Sequence, residues 1–502
     1  MREFDIVVIG SGLGGLACAT MLAKEGKSVC VLEKNKQIGG TLQTFVRNKI
    51  IFDSGVHYVG GLDKGQNLYQ FFRYFGIADK LKIEKLDNDG YDVISFDDDP
   101  VLYRHAQGYD RFKKSLVEQF PEEEQAIQKY CDQLRDVCAR FPLYNLQNGN
   151  HFDKMEVLSI DAKTMINSIT ENKKLRNVLS ATNILYAGEP ERTPFYVHAL
   201  VTNSYIEGAF RFVDGGSQIA RFLAKEITTL GGVIKKYAQV TRLETKDGLI
   251  ACAELKTGEK IFGKMFISNV HPNQTLEWVD SSLIKNAYRN RLKSITNTTS
   301  AFSVNIVLKK NKVKYKSHNH YFIGCEDVWD SIKANEASWP SVVALYYSAS
   351  SKVKGYAEAV TLITYMNFGD VKKWSETFNT VAEERERGRE YEEFKTARAE
   401  KLIDFTIHRF PELKDAIDKY YVSTPLTIRD YIGNDDGSLY GFSKDYNDPL
   451  KTFISPRTKI PNLLLTGQNI NLHGIVGVTV SAVLTCSEIL GMDYLLNKIR
   501  NA

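Results

Sequence analysis

Gly10, Gly12 and Gly15, within Gly10-Ser11-Gly12-Leu13-Gly14-Gly15, have the G-x-G-x-x-G spacing of a turn that cradles phosphate. Gly10 permits a tight turn, Gly12 lets the backbone approach a pyrophosphate, and Gly15 allows a helix to pack closely on a strand. Glu33 lies at the distance along the chain that suits a carboxylate accepting hydrogen bonds from an adenosine ribose. These groups work only if the chain between them holds them in place. Residues 4–9 are rich in β-branched side chains and predict a buried parallel strand. Helical spacing then runs from the turn to a stop at Gly26, and residues 28–32 predict a second strand ending on Glu33. The helix amino terminus would turn unpaired N–H groups and a positive dipole end toward the phosphates. The order strand, glycine turn, helix, strand, acid predicts a dinucleotide site.

Composition limits the alternatives. At 502 residues, with 43% hydrophobic and 25% charged residues, the chain is an ordinary globular protein long enough for two lobes. A net charge of +4 argues against a nucleic-acid binder. The nine histidines and seven cysteines show no metal-ligand spacing, so no metal is expected. Cys18 and Cys486 fall in apolar helical patterns, where cysteine acts as a small hydrophobe. The scattered odd cysteine count fits a reducing compartment, and there is no 18-residue apolar run. The expectation is a cytoplasmic protein with peripheral contact to a membrane surface.

Beyond Glu33 come Gly39-Gly40, Thr44-Phe45 and Phe52-Asp53-Ser54-Gly55-Val56-His57-Tyr58-Val59-Gly60. This stretch resembles the amine oxidase, phytoene desaturase and carotenoid isomerase superfamily, and within it the retinol saturase branch. The tail is similar too. Leu465-Thr466-Gly467-Gln468, then His473-Gly474 to Gly477, has Gln468 where the superfamily usually carries aspartate, as the retinol saturase branch does. Ser423-Thr424-Pro425-Leu426-Thr427 and Gly437-Ser438-Leu439-Tyr440-Gly441 extend the likeness, which covers nearly the whole chain.

The resemblance implies a two-lobe α/β fold of the amine oxidase and phytoene desaturase type. A Rossmann-like FAD-binding lobe would comprise residues 1–75, 206–275 and 451–502. A mixed-sheet and helical substrate lobe would comprise 76–205 and 276–450. FAD would lie along Gly10, Gly12, Leu13, Gly14, Gly15, Glu33, Lys34, Gly39, Gly40, Thr41, Val240, Asn269, Gly467, Gln468, Gly474 and Val476. Val240 begins a predicted antiparallel meander, with further strands near 249–252 and 260–262 and a return strand over 264–269.

The implied activity is reduction of a C=C bond in a long apolar polyene or isoprenoid lipid. A carotenoid cis–trans isomerase or desaturase is the nearest alternative, and a non-catalytic prenyl-lipid escort of the same fold a more distant one. No second nucleotide motif follows, so electrons would come from an external donor. His57, Tyr58, His198 and His473 are the candidates for proton transfer, against a packing role for each histidine. The aromatic run Tyr69, Phe71, Phe72, Tyr74 and Phe75 predicts a helix that is either inter-lobe core or an interfacial anchor admitting lipid. The charged run from Glu383 to Glu390 predicts a solvated helix face.

Overall fold

The β-branched run at the amino terminus forms the strand Glu3–Ile9, in which Val7 and Val8 have no exposed surface. In the computed structural model, which describes residues 3–149, 154–381 and 383–502, this strand is central to a seven-stranded sheet. Val233–Lys235, Val29–Leu32, Glu3–Ile9 and Lys260–Ser268 lie side by side and parallel. Leu249–Leu255 and Val240–Lys246 continue the sheet antiparallel, as the predicted meander. Leu463–Leu465 joins the far end of Lys260–Ser268 in parallel. The helix Leu13–Lys24 is buried at every position but the last. Its small apolar residues let it sit between the helices Ser217–Thr229 and Gly474–Leu490. Cys18 and Cys486 are both buried within this packing.

A second seven-stranded sheet runs Ile417–Ser423, Ser300–Leu308, Ala359–Met366, Val342–Tyr347, Asn319–Ile323, Asp92–Phe96 and Asp99–His105. Asn319–Ile323 and Asp92–Phe96 are parallel, and every other neighbouring pair is antiparallel. The fold is therefore mixed α/β. A small sheet of Val59–Gly60, Ala209–Phe212 and Ile83–Lys85 links chain leaving the first sheet to chain entering the second. It holds Tyr58 at one end and Arg211 in its central strand, and both matter below.

The structure decides one open reading of the sequence and overturns another expectation. The aromatic helix, Asn67–Phe75, is core: Phe71, Phe72 and Phe75 have no exposed surface. It packs on the helices Leu13–Lys24, Gly474–Leu490 and Met492–Arg500, so these rings cannot meet a membrane. The charged run is not a helix face either, because the helix begins only at Arg389. Arg387 turns inward to an ion pair with the fully buried Asp430, since a buried carboxylate is tolerated only when paired. Among the described residues, no helix is long and apolar enough to cross a membrane.

Candidate functional site

A cavity of about 730 Å³ begins at the glycine turn and ends at an aromatic wall on the second sheet. That volume is in the range of cofactor and ligand clefts. Gly10, at φ +91°, makes the turn from the first strand, and its N–H is held by the Leu32 carbonyl at 2.8 Å. Gly12 precedes the helix Leu13–Lys24, whose amino terminus has no side-chain cap. Asn269, at the end of the return strand, lays its side chain across this turn. A Cβ at Gly12 would stand 2.7 Å from Asn269 Nδ2, and one at Gly14 would stand 2.5 Å from Asn269 Oδ1. A Cβ at Gly15 would lie 2.1 Å from the Gly10 carbonyl oxygen. Gly12 and Gly14 thus make room for the Asn269 side chain against the turn, whereas Gly15 serves helix–strand packing.

Glu33 lines the cavity and braces the turn. Its Oε2 accepts from the N–H of Ser11 at 3.1 Å and from the Ser11 hydroxyl, and its Oε1 accepts from the Asn35 N–H at 2.8 Å. Lys34, Gly40, Thr41, Val240, Asn269, Gln468 and Gly474 join Gly10, Gly12, Leu13 and Gly14 in the cavity lining. Gly39 and Gly467 stand behind it. Gly39, at φ +113°, is pinned to Ser11 through its N–H, and Gly467 packs against Asn269 and Gly14. Val476 lines a smaller neighbouring cavity of about 120 Å³, which shares Val59, Leu185, Tyr205, Gly474 and Ile475 with the larger one. A long ligand with polar phosphates and an apolar end fits this arrangement: a glycine turn and uncapped helix terminus at one end, aromatic rings at the other.

The candidate acid–base residues separate. His57 lies in the cavity wall, its ring stacked on Tyr346 at 4.7 Å and 9°. Its Nε2 is buried without a hydrogen-bond partner, and burial, with the Arg211 charge, lowers its pKa to about 4. His57 is therefore neutral at physiological pH and holds a free polar atom for a ligand. Tyr58 lines the same wall, its hydroxyl donating to Asp92 at 2.9 Å. His473 stacks on Tyr440 at 4.2 Å, bonds the Leu185 carbonyl at 3.2 Å through Nε2, and faces the smaller cavity. Burial holds its pKa at about 4 as well. His198 is not brought to either cavity. It sits in the helix Phe195–Glu207 with Nε2 bonded to Tyr130 at 2.7 Å and Nδ1 to Tyr186 at 2.9 Å. Both ring nitrogens are used, which gives it the bonding of a packed core histidine.

Sequence reasoning passed over Asp53 as an individual site residue. Its carboxylate lines the cavity and accepts from the Gly216 N–H at 2.7 Å. Burial, opposed by that bond and by Arg211, raises its pKa to about 7. The Phe52-Asp53-Ser54-Gly55 motif was its available signal. Asp92, Tyr321 and Tyr346 had none, because each belongs to a different strand and no local pattern joins them.

Residues 8–75 match the family of NAD(P)-binding Rossmann-like domains. The all-trans-retinol 13,14-reductase of Danio rerio is 28% identical over 97% of this chain and 86% of its own length. Prolycopene isomerase 1 of an Oncidium hybrid cultivar is 25% identical over 99% of this chain and 85% of its own. Among solved structures, putrescine oxidase bound to putrescine superposes with a TM-score of 0.64 at 13% identity, over 97% of this chain and 99% of that one. That likeness fixes the fold as the amine oxidase type. The Rossmann-like match includes the glycine turn and Glu33, so it falls on the floor of the long cavity.

Proposed function

We propose that this chain, which fits the retinol saturase and carotenoid isomerase-like family, is an FAD-dependent oxidoreductase that reduces a C=C bond of a long apolar polyene of the retinoid or carotenoid kind. One observation carries the reading: a single cavity joins a nucleotide floor to an aromatic, partly unbonded wall. The first sheet serves as the nucleotide lobe (residues 1–75, 206–275 and 451–502) and the second, with its helices, as the substrate lobe.

Bound and reduced, FAD supplies a hydride to one carbon of the C=C bond. The chain does the rest. The uncapped amino terminus of the helix Leu13–Lys24 would receive the pyrophosphate, and Glu33 fixes the turn and faces the ribose. The rings of His57, Tyr58, Tyr346 and Tyr440 stack beside a planar polyene and exclude water from it. Electrons come from an external donor that reaches the bound cofactor.

A polyene is nearly insoluble, so it is taken from a membrane surface. The buried aromatic helix cannot provide that contact. Val381, 61% exposed, lines the cavity, and Val46, 56% exposed, adjoins cavity-lining Phe45 and Arg47 in its strand; these valines supply the transient, peripheral contact. Purification tests the reading. The protein should be yellow and release FAD on denaturation; a colourless protein that takes up no flavin would favour a lipid escort. The isomerase alternative, raised by the prolycopene isomerase relative, predicts substrate conversion with no net oxidation of the reduced flavin.

A further inference from the structure

Asp92, Tyr58, Tyr321 and Tyr346 come from distant parts of the chain and touch in a line. The Tyr58 hydroxyl lies 2.9 Å from Asp92 Oδ2 and 2.7 Å from the Tyr321 hydroxyl, which in turn lies 3.2 Å from that of Tyr346. In the two tyrosine pairs either hydroxyl can donate. All four side chains are buried, yet Tyr58 and Tyr346 form part of the cavity wall, with Asp92 and Tyr321 behind them. The far end is anchored. Asn319 Nδ2 donates to Asp92 Oδ1 at 2.8 Å, and Arg211 Nη2 donates to Asn319 Oδ1 at 2.8 Å. The near end is fixed by the stack of Tyr346 on His57.

Phenylalanine would pack this wall as well and leave no polar atom to satisfy. Three hydroxyls aligned on one carboxyl instead make a continuous path for a proton between the buried acid and the cavity. We propose that Asp92, Tyr58, Tyr321 and Tyr346 form a proton relay that supplies the second hydrogen in polyene reduction, with Tyr346 as the donor to carbon. The proposal rests on the reading of this cavity as a flavin and polyene site.

The step balances. The π bond of the C=C opens, one carbon takes the hydride from reduced flavin, and the other takes the proton of the Tyr346 hydroxyl. With Asp92 protonated on Oδ2, the bond seen from Tyr58 to the carboxylate reverses, so Tyr321 returns a proton to Tyr346, Tyr58 to Tyr321, and the Asp92 carboxyl to Tyr58. Asp92 is left as a carboxylate and regains its proton through the hydroxyl of cavity-lining Tyr58 between turnovers. Tyr346 is the catalytic residue; Tyr321, Tyr58 and Asp92 act through it. Burial, opposed by the bonds from Asn319 and Tyr58 and by the charge of Arg211, raises Asp92 to about 7, so near neutrality it can both hold and give a proton. Tyr91, Tyr205, Tyr321 and Tyr346 complete its ionisable surroundings, and His105, opposite it across the strand pair, is bonded to the Val178 carbonyl.

Two measurements test the relay. Infrared difference spectra of the flavin-free protein should contain a protonated carboxyl band that shifts in D2O, titrates near pH 7 and is missing from Asp92→Asn. Anaerobic mixing of photoreduced holoprotein with all-trans-retinol should reoxidise the flavin. Tyr346→Phe and Asp92→Asn should keep flavin content and absorbance while slowing that reoxidation by about 10²-fold or more. Wild-type rates in both variants, or no Asp92 carboxyl band, would overturn the relay and leave the proposed function standing. A wild-type flavoprotein that no polyene reoxidises overturns the proposed function and, with it, the relay's role in reduction.

Discussion

At the residue scale, the glycines of the first turn divide by what a Cβ would meet. Gly12→Val would drive a side chain into Asn269 Nδ2 and distort the turn assigned to the pyrophosphate. The expected product is a folded protein without bound flavin, read from its visible spectrum and its melting temperature. Gly15→Ala meets a backbone carbonyl instead and should lower the melting temperature, because the Gly10 oxygen cannot move aside cheaply. Glu33→Ala removes an acceptor used by Ser11 and Asn35 as well as the ribose contact. Loss of one charge-assisted bond is worth about 1.5–3 kcal/mol, or roughly tenfold to a hundredfold in FAD affinity by titration into the apoprotein. Unchanged affinity would remove the ribose role. Gly10, Gly12, Gly15 and Glu33 were legible in the sequence because their spacing is local and each type has one physical reason to be there. The Asp92 line was not, since its members meet only when Asp92–Phe96, Asn319–Ile323 and Val342–Tyr347 come together in one sheet.

At the element scale, the strands and helix around the glycine turn followed from pattern alone, and so did the first two meander strands; the third meander strand and the return strand, expected apart, are one strand, Lys260–Ser268. The aromatic helix Asn67–Phe75 shows the limit of such reading. Its composition fits a thick core and an interfacial anchor equally, and only its neighbours decide. Phe72→Ala should therefore cost about 3–5 kcal/mol in stability, measured by denaturant unfolding. It should leave vesicle binding by the folded fraction unchanged. Val46→Asp, on the exposed hairpin Thr44–Arg47 and Ile50–Asp53, should do the reverse, lowering flotation with lipid vesicles at constant melting temperature. If Val46→Asp floats as wild type does, the membrane contact lies elsewhere. The charged run before Arg389 misled for a related reason. Charge predicts solvent, but Asp430 in the helix Pro425–Ile432 draws Arg387 inward.

At the scale of the whole molecule, burial of ionisable groups sets the pH response. His57, His105, His318 and His473 are held at about 4 and His198 at about 3, chiefly by loss of hydration. In the unfolded chain each would titrate near about 6.5. Between pH 6.5 and 4 the unfolded state therefore takes up protons that the folded state refuses, and stability falls as pH falls. Asp53 and Asp92, raised to about 7, work the other way: their folded forms keep protons that the unfolded chain releases. Five histidines outweigh two carboxyls, so the melting temperature should drop from pH 7 to pH 5; a rise would mean that these histidines are solvated. The most direct test of the account is made on the intact holoprotein. Photoreduced protein is mixed anaerobically with one equivalent of all-trans-retinol, and flavin absorbance and product mass are followed together. Return of the oxidised flavin spectrum, with a product two hydrogens heavier than the substrate, is the predicted result. A flavin that stays reduced beside unchanged retinoids and carotenoids would contradict it.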